Sequence, residues 1–151
     1  MTPLTPELLQ QVASQVLEEC AFLCTESSSE PAAWPEQVAR ASLEFCGPRA
    51  GRLELYATRE LAMAVAADML GIEPDDPEAA HLADGALAEL TNVIGGLLVA
   101  KLFGTDHLCE LGIPMVEHDA PGVRPRGSCS LTLVDLEGRP IDVRVSLVPP
   151  P

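Results

Sequence analysis

The chain has 151 residues, 47% of them hydrophobic, with 9 Lys and Arg against 23 Asp and Glu for a net charge of −14. That length suits one domain spanning residues 1–151 with a core of its own, while the acidity argues against nucleic acid or an anionic membrane surface as a partner. Aromatic residues make up only 3% of the chain, so platforms for stacking bases are scarce as well. No apolar run reaches the length of a membrane span. The opening MTPLTPELLQQ has neither the basic start nor the apolar stretch of a secretion signal, and a cytoplasmic location is expected.

In chain order, residues 6–26 place Leu9, Val12, Ala13, Val16, Leu17, Cys20, Leu23 and Cys24 at helical spacing, which predicts an amphipathic helix. The stretch SSSEPAAWPEQ, residues 27–37, reads as a loop, with Trp34 as a lid on the edge of the core. ARASLEFC and GRLELYA alternate on either side of Gly47, Pro48 and Gly51, predicting a β-hairpin with Leu43, Phe45, Leu53 and Leu55 on one face. A helix over 59–70 ends at Gly71, and IEPDDP leads into a longer one.

That longer helix, from Asp76 to Gly104, is the informative stretch. Asp75 or Asp76 can cap it, Pro77 and Glu78 suit its first turn, and Lys101 suits its last. On a wheel of about 100° per residue, Ala83, Ala86, Leu87, Leu90, Val93, Ile94 and Leu97 form a face that must be buried. Gly85, Ala88, Glu89, Asn92 and Gly96 gather on another. Glu89 and Asn92 are therefore side by side, with roughly 5–6 Å between Cβ atoms, among very small neighbours. The strip's two glycines, Gly85 and Gly96, each cost the helix about 1 kcal/mol relative to Ala, so they need a reason. Close packing against a neighbouring element is one; a cleared surface for another molecule is the other.

Beyond this helix, HLCELGIPMVEH is an extended segment broken at Pro114, and DAPGVRPRG is a loop. CSLTLVDLEGRPIDVRVSLV alternates around Glu137-Gly138 as a second hairpin, closed by the terminal prolines. Cys20, Cys24, Cys46, Cys109 and Cys129 show no metal spacing and read as small buried hydrophobes. His81, His107 and His118 form no ligand motif, and no nucleophile elbow, P-loop or dinucleotide fingerprint occurs.

An internal repeat links these pieces. VLEECAFL (16–23) can be laid on ALAELTNV (86–93), matching Glu19 to Glu89 and Phe22 to Asn92, and SLEFCGPRAGRLELYA on SLTLVDLEGRPIDVRVS. A duplicated α-β-β unit is expected, in which only the second copy keeps the Glu/Asn pair.

On these residues the chain resembles the CheC/CheX/FliY family, phosphatases of bacterial chemotaxis response regulators. The resemblance is carried by Glu89 and Asn92 in GALAELTNVIGG, by GRLELYATRELAMAVAADMLG and by the closing hairpin, and extends from about residue 8 to 148. CheC-type members resemble a duplicated unit with two Glu-x-x-Asn helices, and CheX-type members keep one, as here. The resemblance implies an α/β (α+β) fold of helices packed on a mostly antiparallel sheet, often as a homodimer. It also implies a phosphorylated CheY-type receiver domain as partner, with Mg²⁺ held by that receiver and no cofactor bound by this chain. Asn92 would hold a water in line with the phosphorus, and Glu89 would pair with the receiver's lysine. The family often has Asp or Ser four positions before the Glu. This chain has Gly85 there, with Asp84 one residue off, while Pro114 stands near the family's Pro beyond the Asn. A non-catalytic module that docks a receiver, and a dimerisation domain with an incidental Glu/Asn pair, are the competing readings.

Overall fold

Helix α1 (Pro6–Ala21) begins where the Thr5 hydroxyl accepts the Leu8 N–H at 3.1 Å, and buries Leu9, Val12, Ala13, Val16 and Leu17. It stops sooner than its periodicity predicts. Phe22 turns left-handed at φ 53° and returns its N–H to the carbonyls of Glu18 and Leu17. Thr25–Ser28 then leave as strand β1, paired with β6. A β-branched threonine and a serine run gain little from a helix and are satisfied by a ladder. The structure is a computed structural model that describes residues 1–29, 34, 38–118 and 129–149. Most of the expected 27–37 loop and the expected 119–127 loop lie outside the described residues, as do the last two prolines. Trp34 is half-buried.

The first hairpin forms as its alternation predicts. β2 (Val38–Cys46) and β3 (Gly51–Thr58) set Leu43 opposite Leu53 and Ala41 opposite Leu55, all on the buried face. α2 (Arg59–Leu70) is capped by Thr58, whose hydroxyl accepts the Leu61 N–H at 3.1 Å, and ended by Gly71 at φ 69°. α3 (Pro77–Phe103) starts on Asp76, whose carboxylate accepts the Glu78 N–H at 3.0 Å, and stops at Gly104. β4 (Glu110–Leu111) and β5 (Met115–His118) follow, then the hairpin of β6 (Cys129–Asp135) and β7 (Pro140–Leu147).

The seven strands form one antiparallel sheet in the order β1-β6-β7-β3-β2, with β4 and β5 both on the outer edge of β2. Two halves are visible in it. α1-β1-β2-β3 and α3-β4/β5-β6-β7 meet at the central β3–β7 pair, and the leading strand of each half lies on the other half's edge. The duplicated unit is therefore α-β-β-β with exchanged leading strands. The final hairpin consequently has no free edge, because β1 covers β6 and β3 covers β7.

All three helices contribute to one core with Ala39, Phe45, Leu55, Leu133, Val143 and Val145 of the sheet. α3 is long and apolar enough to cross a membrane, with a mean hydropathy of 1.5 over its best 18 residues, more than the sequence reading allowed. Yet 56% of that window is buried inside the fold; it is the core helix. The opposite sheet face is also tight. Arg144 lies 4.2 Å over the Tyr56 ring and 3.0 Å from Asp142, which accepts the Thr132 hydroxyl at 2.6 Å.

Gly95 shows how closely α3 sits on the sheet. A Cβ there would fall 2.3 Å from Leu43 Cδ2 and 3.7 Å from Leu53 Cδ2, and both leucines are buried. Gly95→Val is expected to lower stability by about 1–3 kcal/mol through overpacking, seen as a lower urea midpoint at unchanged slope. An unchanged midpoint would show that the helix can lift off the sheet freely.

Candidate functional site

Two caps and a buried face fix the rotation of α3. With Leu87, Leu90, Thr91, Ile94 and Leu98 inside, the strip of Gly85, Ala88, Glu89, Asn92 and Gly96 is turned outward: Gly85 and Glu89 are exposed, and the other three half-buried. Thr91, between the strip and the core, is sealed by donating its hydroxyl to the Leu87 carbonyl at 2.8 Å. Among the described residues, the side chains of Glu89 and Asn92 make no hydrogen bond or ion pair. Cavities of about 550 Å³ beside Gly51 and Leu111 and about 220 Å³ beside Asp84 and His118 are lined by neither residue. The pair stands on a convex helix face. That shape suits a macromolecular surface better than a small ligand, which prefers concave sites.

The glycines of α3 divide by what surrounds them. Gly95 is required by the sheet. A Cβ at Gly85 would meet nothing within 4 Å, and one at Gly96 only Leu111 Cδ1 at 3.8 Å, an ordinary contact. Internal packing therefore explains the first glycine and not the other two, each of which weakens the helix by about 1 kcal/mol relative to Ala.

Asp84 takes no part in the strip. Its carboxylate Oδ2 is 2.7 Å from His118 Nε2 on β5, tying α3 to the edge of the sheet. On the other face of β5, Glu117 pairs with Arg40 of β2. The bond to His118 joins residues 34 apart in sequence, and no local pattern announces it; neither does the flank it creates. Leu111 at Gly96 and His118 at Asp84 set the β4–β5 segment alongside the strip, antiparallel to α3.

The cysteines depart from the expectation of burial. Only Cys129 is buried, Cys20 and Cys109 are half-buried, and Cys24 and Cys46 are exposed; all five are unpaired. Burial first, then the charge of Glu7, raises the Cys129 pKa and keeps its thiol protonated. Among the described residues, no group of three His, Cys, Asp or Glu side chains could hold a metal ion.

Several known proteins share this architecture. A structure from Borrelia burgdorferi described as a CheX-CheY-BeF3-Mg complex matches with a TM-score of 0.73 at 21% identity, covering 95% of this chain and 97% of that one. CheX from Desulfovibrio desulfuricans matches with a TM-score of 0.71 at 17% identity over 94% and 97% of the two chains. FliY of Thermotoga maritima matches with a TM-score of 0.57 at 14% identity over 97% and 92%. At such identities the likeness is one of fold. A search of curated protein sequences finds no match. The family described as chemotaxis phosphatase CheX matches residues 40–136, a range that runs from β2 through the strip of α3 to the turn of the last hairpin. With one outward Glu-x-x-Asn helix on a duplicated sheet, this chain belongs to the CheX family of chemotaxis phosphatases.

Proposed function

We propose that this protein hydrolyses the aspartyl phosphate of a CheY-type receiver domain, with Asn92 orienting the attacking water and Glu89 docking the receiver's lysine. The observation that carries the reading is the strip itself: two adjacent polar heads with no partner among the described residues, on a helix face kept low by Gly85 and Gly96. Family membership supports it, as does the Borrelia relative, a complex of CheX with CheY, BeF3 and Mg.

The chemistry asks little of this chain. An acyl phosphate is already activated, so hydrolysis needs a placed nucleophile and neutralisation of charge on the transferring group. The Mg²⁺ bound by the receiver supplies the second. The water oxygen bonds to phosphorus as the Asp–O–P bond breaks; the electron pair returns to the receiver's carboxylate, and the water's proton leaves to the phosphate product or to solvent. An amide side chain orients that water without acting as a strong base. The test is decay of a phosphorylated receiver with Mg²⁺ present, which the protein should accelerate in proportion to its concentration. Binding without acceleration would make it a docking module, a reading that Gly85 at the family's Asp/Ser position and the tethering of Asp84 to His118 would then explain.

We further propose that the protein acts in the cytoplasm as a homodimer. The interface would not use the final hairpin, whose sides are both occupied. The outer edge of β1, which no other described strand covers, is the better surface. It starts beside Phe22 and Leu136, which are 76% and 85% exposed, and a sheet edge with apolar neighbours invites a second copy. It also lies across the sheet from the strip. Sedimentation equilibrium at micromolar concentration should give twice the chain mass, and a monomer would refute the dimer.

A further inference from the structure

β4 and β5 both pair with β2, but not in one register. Phe45 stands opposite Leu111 and Ser42 opposite Met115. Leu43 and Glu44 of β2 are therefore faced by three residues, Gly112, Ile113 and Pro114. One residue too many is a β-bulge, which bends an edge strand and re-aims a side chain. This one is held in place. The Gly112 N–H donates to the Glu44 carbonyl at 2.7 Å, a Cβ on Gly112 would stand 3.2 Å from that oxygen, and Pro114 restricts the backbone that follows.

The residue so presented is Ile113, 84% exposed. Its place follows from the two ends of the segment. Leu111 lies against Gly96 and His118 against Asp84, so the bulge runs beside the turns of α3 that carry Glu89 and Asn92, a span of about 18 Å. Glu89 on the adjacent strip of α3 is an exposed carboxylate, whereas Glu117 is taken up by Arg40 on the other face of β5. An apolar centre beside a charge on rigid backbone is how binding hot spots are built, since little freedom is lost on contact.

We propose that Ile113 is the specificity-determining contact of the docking surface: it selects receivers that carry an apolar spot edged by Lys or Arg beside the phosphorylated aspartate. The proposal rests on the phosphatase reading. Its test compares the wild type, Ile113→Ser and Leu70→Ser in steady-state dephosphorylation of a panel of CheY-type receivers, with sedimentation of each variant alongside. Both side chains are exposed, so both variants should fold, and matching urea midpoints would check it. Ile113→Ser should raise KM about tenfold for the preferred receiver, less for poor ones, with kcat at saturation within about twofold and the mass unchanged. Leu70→Ser should leave KM unchanged. A wild-type KM in Ile113→Ser, an equal penalty for every receiver, an equal shift in Leu70→Ser, or a changed mass in Ile113→Ser would each overturn the proposal. A mass change would reassign Ile113 to self-association. If the wild type speeds the decay of no receiver, the phosphatase reading fails and this one with it. If the wild type is active and only the Ile113 result is flat, this one fails alone.

Discussion

Asn92→Ala should leave a folded protein that still binds the phosphorylated receiver and turns it over at least about a hundredfold more slowly, the loss expected when a positioning group is removed. Asn92 is half-buried on a face of small residues, and its amide serves no internal partner among the described residues, so truncation leaves no orphaned group behind. Glu89→Ala should fail differently. It removes an exposed carboxylate from the proposed docking face, so binding weakens through a lost ion pair that contact with the receiver would partly desolvate. At saturating receiver much of the rate should return. Neither variant should change stability by more than about 0.5 kcal/mol, because surface substitutions away from special features seldom do. The measurement is phosphate release from a receiver with Mg²⁺, beside a binding titration for each variant. Full activity in Asn92→Ala would end the water-orienting role. Full affinity in Glu89→Ala would end the docking role.

The second large effect is expected at a residue without a side chain. Gly85→Leu should make the protein more stable and much less active. The position lies inside α3, exposed, with nothing within 4 Å of an added Cβ, so Leu has room and gains about 0.8 kcal/mol of helix propensity over Gly. The same side chain would stand one turn before Glu89 on the proposed docking strip. A leucine there holds the helix away from the receiver, and KM should rise by about tenfold or more while the urea midpoint rises too. A rise in stability joined to a fall in activity is the signature of a surface kept clear for function. Gly95→Val would show the opposite pairing, a stability loss at a position that no partner touches. Normal KM in Gly85→Leu would mean that the partner does not approach this turn.

The sequence by itself determined much of this protein because its strongest signals are local. Helical and strand periodicities located α2, α3 and both hairpins, since burial of one face forces a period that the residues must obey. Asp76, Gly71 and Gly104 marked helix ends through capping chemistry that acts within one turn. The strip of Glu89 and Asn92 was legible for the same reason: residues on one helix keep their relative angles whatever the helix packs against.

What required the tertiary structure is whatever joins distant parts of the chain. Periodicity ran past Ala21 because nothing local says that Thr25–Ser28 will find β6, more than a hundred residues on. The exchange of leading strands between the halves, which leaves the final hairpin paired on both sides, is a property of sheet order and not of any segment. Which glycine serves packing and which the open face depends on Leu43, supplied by another strand. The exposure of Cys24 and Cys46 depends likewise on what covers them. The Asp84–His118 bond and the bulge at Ile113 exist only because β4 and β5 return to the edge of β2 beside α3. Local physics shaped the helix that bears the candidate site, and long-range pairing decided what stands next to it.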